Sequence, residues 1–211
     1  MYDVVIVGGG GLGREFLMWA EHSLPPVDFR IKGYLALCPE PPGMAGLPWL
    51  GDENTYQCSE ADRFLFAIGS VPIKKRVVGA LKAKGAVFLT LIHNSALVAS
   101  SATIGEGVVI CPFGIVSDCA ALGSFVTMNY NASCAHDSRV GDYSILTPYA
   151  ALGGGAVLEE GGFIGMNATI APYVKVGAGS KVAANSVVLR DTPPNTLTIG
   201  VPGRSMAILD P

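Results

Sequence analysis

From residue 102 onward the apolar positions recur every six residues. Written in sixes, ATIGEG VVICPF GIVSDC AALGSF VTMNYN ASCAHD SRVGDY SILTPY AALGGG AVLEEG GFIGMN ATIAPY VKVGAG SKVAAN SVVLRD keeps phase through fifteen hexads without an insertion. The third place is always Ile, Val, Leu, Met or Cys, and the first is nearly always small. This hexapeptide period predicts a parallel β-helix. Three hexads make one triangular coil, each side a short strand with its third residue inward, so residues 18 apart stack on successive coils about 4.8 Å apart. Gly105, Gly123, Gly141 and Gly177 form one such column, at a corner that needs either a positive φ or a close backbone approach.

The first ninety residues follow a different pattern. "DVVIVG", "IKGYLAL" and "RFLFAIG" read as buried strands, "REFLMWAEHSL" and "PIKKRVVGALKAKG" as helices, the second with Pro72 near its start and Gly85 beyond its end. A Pro/Gly-rich loop, "CPEPPGMAGLPWLGDENT", lies between them. Strands alternating with helices predict a small Rossmann-like α/β domain over residues 1–92, followed by the β-helix over 93–211 with a short C-terminal extension. Gly8, Gly10 and Gly13 match the dinucleotide spacing GxGxxG. No acid stands near residues 35–38 to hold a ribose, and the α/β half is short, which argues against a bound NAD.

Composition narrows the classes further. Half of the 211 residues are hydrophobic and 15% are charged, as in a compact globular protein. A net charge of −3 supplies no basic field, so no nucleic-acid partner is expected. No apolar run approaches the roughly 18 residues of a membrane span, and "MYDVVIVGGGG" lacks a signal peptide's basic start. The five cysteines (38, 58, 111, 119 and 134) show no CxxC spacing, so neither a disulfide framework nor a metal site is indicated. A cytoplasmic protein with reduced thiols is expected.

The candidate chemistry lies in "ASCAHDSRVGDY". By phase Cys134 faces the core, which makes it a small packing side chain rather than a nucleophile. His136 is two places on, near a corner, and the register leaves its direction open. Eighteen residues further stands Gly154, the centre of the Gly153–Gly155 triplet. A base, an adjacent carboxylate at Asp137 and a bare peptide suited to an oxyanion thus stack together. The alternative is an ordinary Asp-Ser turn; the triglycine above the histidine favours the catalytic reading.

These residues resemble the group of β-helix enzymes containing the sialic acid O-acetyltransferases and the bacterial sugar N-acetyltransferases. The resemblance runs through "VVIVGGGGLGRE", "GLPWLGDEN", "FAIGSVPIKKR", "LIHNSALVASSATIGEGVVI", "HDSRVGDYSIL" and "NTLTIGVPGR". It implies a left-handed helix, a homotrimer, and transfer of an acetyl group from acetyl-CoA, a co-substrate, to an amine or hydroxyl of a sugar or nucleotide-linked sugar, without a metal. His136 is implied as general base, Asp137 as the partner that holds its tautomer, and Gly154 as the oxyanion position. Met166 and Ala184 are implied beside the pantetheine chain. Gly10, Gly11 and Leu12, with Gly69 facing them, are implied as acceptor contacts.

Two departures from the family pattern stand out. Ile145 occupies a cofactor-contact position where many members have a second histidine, and Ala36 and Leu37 replace an acidic pair common among members that act on nucleotide sugars. Lys175, Lys181, Arg190 and Arg204 gather toward the C-terminal coils, where a CoA 3′-phosphate or solvent would face them. Lys74, Lys75 and Arg76 read as a solvated helix face or a phosphate contact. A β-helix carbonic anhydrase is set aside, because the repeats offer His136 but not three zinc-binding histidines. The remaining alternative is a non-catalytic, sugar-binding scaffold.

Overall fold

The computed structural model describes residues 1–24, 29–39, 44 and 46–208. The chain divides into two compact units, Met1–His93 and Asn94–Pro211.

In the first unit, β1 (Tyr2–Val7), α1 (Gly11–Ser23), β2 (Phe29–Leu35), β3 (Asp62–Phe66) and α2 (Val71–Lys82) follow in order. The strands form one parallel sheet, β2-β1-β3. The central strand β1 carries the apolar run Val4–Val7 after Asp3, and Val4, Val5 and Ile6 are fully buried on both faces. The glycine turn after it is set by packing: a Cβ on Gly13 would lie 2.0 Å from the Gly8 carbonyl oxygen, and one on Gly8 would lie 2.5 Å from that of Ala67. Helix α1 buries Phe16, Trp19 and Ala20, spaced as one helical stripe.

The expected Rossmann-like α/β domain is not what forms. Among the described residues the chain is overwhelmingly a β-solenoid with two short helices, and the three-stranded sheet lacks the second half of a doubly wound fold. The reason lies between β2 and β3, where the sequence supplies a Pro/Gly-rich stretch instead of a crossover helix. Its described part runs as turns that bridge Trp49 to Tyr34; residues 40–43 and 45 of the predicted loop lie outside the described residues.

That link is held by buried charges. Asp62 accepts hydrogen bonds from Lys32 Nζ at 2.7 Å, Tyr56 Oη at 2.8 Å and the Ser59 N–H at 2.8 Å. Burial alone would push its carboxyl up; the three donors bring it below the usual carboxylate range. Glu53, also buried, pairs with Arg76, and Lys84 Nζ donates to the carbonyls of Glu53 at 2.8 Å and Tyr56 at 3.0 Å.

The second unit is a parallel β-helix. Its first face stacks Val109–Ile110, Thr127–Met128, Ile145–Leu146, Phe163–Ile164 and Lys181–Val182. The second carries Ile115–Val116, Ser133–Cys134, Ala151–Leu152 and Thr169–Ile170, and the third Ala121–Leu122, Arg139–Val140, Val157–Leu158 and Lys175–Val176. Partners on these strands are 18 residues apart, as Cys134 with Leu152 and Val140 with Leu158. From Ile110 to Val188 every third-place residue is at most 3% exposed. First-place residues such as Ala132, Ala150, Ala156 and Ala168 are buried beside them; they sit at the inner corners, where a larger side chain would overfill the triangle.

The glycine column needs close approach and not unusual backbone. A Cβ on Gly105 would lie 2.6 Å from the Gly123 carbonyl carbon, and one on Gly141 would lie 2.5 Å from the Glu160 nitrogen. Positive φ belongs instead to the sixth place, at Phe113, Cys119, Phe125, Asn131, Asp137, Tyr143, Tyr149, Asn167 and Tyr173, with values between 55° and 62°.

Candidate active site

His136 and Asp137 form the corner between the strand Ser133–Cys134 of the second face and Arg139–Val140 of the third. Asp137 takes the left-handed conformation that Cys119, Gly155 and Tyr173 also adopt at this corner, at φ 60°. The Asp137 N–H donates to the Asp118 carbonyl at 3.0 Å, fixing the corner to the preceding coil. This geometry turns the Asp137 carboxylate back along the chain, so that Oδ2 lies 2.8 Å from His136 Nδ1. With the proton on Nδ1 donated to Asp137, Nε2 presents its lone pair outward. Both side chains are more than half exposed in the single chain, at 59% and 65%.

Gly154 stacks on His136 as the register requires. A Cβ on Gly154 would lie 2.6 Å from both Cε1 and Nε2 of the imidazole, so the ring occupies the space that the missing side chain leaves. The Gly155 N–H donates to the His136 carbonyl at 2.8 Å and pins the two coils together. The Gly154 N–H itself donates to no protein acceptor among the described residues. At a different corner, between the third and first faces, two N–H groups in the same place of the hexad are capped by side chains, Ser124 by Asp142 at 2.8 Å and Ala178 by Glu159 at 3.0 Å. An imidazole nitrogen beside an uncapped peptide N–H can take a proton from a nucleophile while charge grows on a carbonyl oxygen next to it.

Cys134 is excluded as a nucleophile by its surroundings: it is fully buried, and burial pushes its thiol up to about 12. No group of three or more His, Cys, Asp or Glu side chains suited to a metal occurs among the described residues.

The other expected site residues fall elsewhere. Met166 and Ala184 lie on the corner that joins the first face to the second, one above the other and away from the His136–Gly154 corner. Ile145 is on the first face, 5% exposed. One chain therefore does not bring these three residues to the histidine. Along the third face a groove of about 590 Å³ is lined by Ala121, Arg139, Val157 and Glu160. Lys175 at its C-terminal end is engaged by Glu159 at 2.5 Å.

In the other unit, Gly10 caps α1 without a side-chain bond, and Gly11 and Leu12 open the helix. The Ala67 N–H donates to the Val7 carbonyl at 2.8 Å, which sets the turn carrying Gly69 beside the turn carrying Gly10. Space lies open over both Gly10 and Gly69. The glycines of GGGGLG thus divide: Gly8 and Gly13 pack, while Gly10 and Gly11 face outward. Ala36 and Leu37 follow β2, Leu37 at 75% exposure, and the Trp49 indole donates to the Ala36 carbonyl at 3.0 Å. Lys74, which the sequence places on a solvated face, is buried, and burial pushes its amine down to about 7.

Sequence reasoning missed Tyr173. Its ring comes down from the coil above onto Gly155, where a Cβ would lie 2.5 Å from Cδ1 and 2.6 Å from Cε1. The signal was present, because Tyr173 stands 18 residues after Gly155 as Gly154 stands 18 after His136.

No protein-family model matches the chain. GDP-perosamine N-acetyltransferase of Escherichia coli O157:H7 is 31% identical over 148 residues, 68% of this chain and 67% of that protein. Among solved structures, the acetyltransferase domain of PglB from Neisseria gonorrhoeae FA1090, in complex with acetyl coenzyme A, superposes with a TM-score of 0.88 at 25% identity, covering 97% of this chain and 98% of that one. PerB from Caulobacter crescentus, in complex with CoA and GDP-perosamine, superposes with a TM-score of 0.75 at 26% identity over 98% of each chain.

Proposed function

The chain belongs to the hexapeptide-repeat, left-handed β-helix family of sugar N-acetyltransferases, and from that premise we propose that it transfers the acetyl group of acetyl-CoA to the amine of a nucleotide-linked amino sugar. The observation that carries this reading is the His136–Asp137 pair at 2.8 Å with its imidazole seated against Gly154.

In the proposed reaction His136 Nε2 accepts the proton that the acceptor amine loses as it attacks the thioester carbonyl. Asp137 holds the proton on Nδ1 and the ring in place. The Gly154 N–H, which no group among the described residues caps, receives the developing negative charge on the carbonyl oxygen. The thiolate of CoA leaves, and His136 returns the proton to it. The amide bond forms as the thioester bond breaks, and no oxidant or metal enters the balance.

Met166 and Ala184 contact the pantetheine chain in this reading. Since they lie on a different corner from His136, they belong to the site of a neighbouring copy, which makes the active unit an oligomer. A trimer places each such corner against the next subunit's histidine corner. The turns at Gly10–Leu12 and Gly69 offer backbone N–H groups to the acceptor. The donor, a product of central metabolism, places the reaction in the cytoplasm.

Thiol release from acetyl-CoA, measured with a panel of GDP-, UDP- and dTDP-linked amino sugars, tests the proposal. Release with at least one amine acceptor, and none with the corresponding hydroxyl sugar, is expected. Acceptor binding without thiol release from any member of the panel would identify a sugar-binding scaffold instead.

A further inference from the structure

Two side chains converge on the glycine pair 154–155 from opposite directions. His136 reaches up from the coil below onto Gly154, and Tyr173 reaches down from the coil above onto Gly155. The Tyr173 N–H donates to the Gly154 carbonyl at 2.9 Å, and the N–H of that same Gly154–Gly155 peptide donates to the His136 carbonyl at 2.8 Å. One side of the ring covers Gly155, yet the residue remains 78% exposed.

The fold does not call for a tyrosine there. Tyr173 has the sixth-place backbone conformation, φ 60°, which Cys119 and Asp137 adopt in the same corner column and Asn131, Asn167 and Asn185 at another corner. Any of these smaller residues would complete the turn. In the single chain the ring is four-fifths exposed, in the same corner column as Asp137, and is therefore open to whatever lies against that corner.

The geometry of attack says which group that is. The acceptor nitrogen must lie within hydrogen-bond reach of Nε2, and the carbonyl oxygen must point at the Gly154 N–H. The methyl group and the sulfur then have neither the imidazole nor the peptide in front of them, and face outward over Gly155. Resting on the acyl-transfer reading above, we propose that the Tyr173 ring is the wall against which the acetyl end of the donor lies, and that it limits the length of the acyl group.

The test compares wild type with Tyr173→Ala and Tyr173→Phe, using acetyl-, propionyl- and butyryl-CoA as donors and calorimetric binding of acetyl-CoA and of free CoA. Removing the ring is expected to raise the butyryl-to-acetyl ratio of kcat/KM by about 10-fold, the discrimination a pocket wall gives per one or two methylenes. It should also weaken acetyl-CoA several-fold more than free CoA, because the lost contact is with the acyl end. Tyr173→Phe keeps the ring and should keep the wild-type acyl ratio. An unchanged ratio in Tyr173→Ala, or equal weakening of acetyl-CoA and CoA, overturns the proposal. A wild type that binds acetyl-CoA but transfers it to no acceptor fails the functional reading instead, and the binding comparison still decides the role of Tyr173.

Discussion

The two units bury different kinds of polar group. In the first unit the buried polar side chains are charged: Asp3, Glu53, Asp62 and Lys74. In the β-helix they are hydroxyls, among them Ser138, Ser144, Ser180 and Thr196. The helix needs nothing stronger, since the strand N–H groups of one coil are met by the next and a corner serine bonds locally, as Ser138 Oγ donates to the Ala135 carbonyl at 2.7 Å. The first unit joins β2 to β3 by an irregular link whose described part bonds β2 only around Tyr34 and Ala36, and charged clamps hold it as well. One consequence is that the charged groups of the β-helix stand on its outside, where Asp142 and Glu159 cap corner N–H groups while the His136 and Asp137 side chains bond each other. Chemistry at the His136 corner and stability of the coil should therefore be separable, whereas in the first unit charge and stability are bound together.

Removing the base tests that separation most severely. His136→Ala should lower kcat on the order of 10²- to 10⁴-fold, with the melting temperature unchanged, since the lost side chain is 59% exposed. Asp137→Asn should cost less, because Nε2 remains but its tautomer is no longer fixed. Steady-state kinetics with acetyl-CoA, beside thermal melts, read both. Activity near wild type in His136→Ala would remove the corner from the mechanism; a collapse of stability would show that it carries the fold after all.

Two glycine substitutions within the helix sharpen the point. Gly154→Ala drives a methyl into the imidazole, 2.6 Å from Nε2, and covers the uncapped N–H. A loss of about 10²-fold in kcat/KM with little change in melting is expected, the scale of one oxyanion donor. Gly105→Ala instead meets the backbone of the next coil at 2.6 Å, which cannot rotate away. It should destabilise the helix by about 1–3 kcal/mol and leave the folded fraction active. If the two variants behave alike, the distinction between seat and packing column is wrong.

The same contrast decides how much was legible in the sequence. Strict repetition makes every helix position predictable from its neighbours 18 residues away, and so the inward third place and the stacking of Gly154 on His136 follow from spacing alone. Tyr173 obeyed the same arithmetic but drew no notice, because its meaning depends on the direction its ring takes. The positive φ of the sixth place was hidden because Phe, Tyr, Cys and Asp fill it as well as glycine and asparagine. In the first unit the strands showed as apolar runs. The Pro/Gly-rich loop between the second and third strands showed too; the clamp on Asp62 and the burial of Lys74 did not, since each depends on tertiary partners that no local period encodes. "KKR" reads as a solvated stripe, yet its first lysine is 1% exposed and its arginine is engaged by Glu53.

The smallest expected effect concerns that lysine. Burial pushes the Lys74 amine down to about 7 from an ordinary value of 10.5. Between those values the unfolded chain binds a proton that the folded unit gives up, so stability rises with pH across the interval, by up to about 1.4 kcal/mol per pH unit. Burial pushes the Cys58 thiol up from 9.0, which opposes the trend in more alkaline solution and confines the clean window to pH 7–8.5. Both tryptophans, Trp19 and Trp49, lie in the first unit and make fluorescence a reporter for it alone. Urea unfolding followed by tryptophan emission should therefore shift to higher midpoint between pH 7 and 8.5. The β-helix, followed by far-ultraviolet circular dichroism, should hold its midpoint, because among the described residues it buries no lysine, and burial pushes the Cys134 thiol up to about 12. Lys74→Met should abolish the shift in the first unit. A tryptophan midpoint flat across this window would mean that the lysine escapes burial in solution, and that the first unit is less dependent on its charges than the β-helix comparison requires.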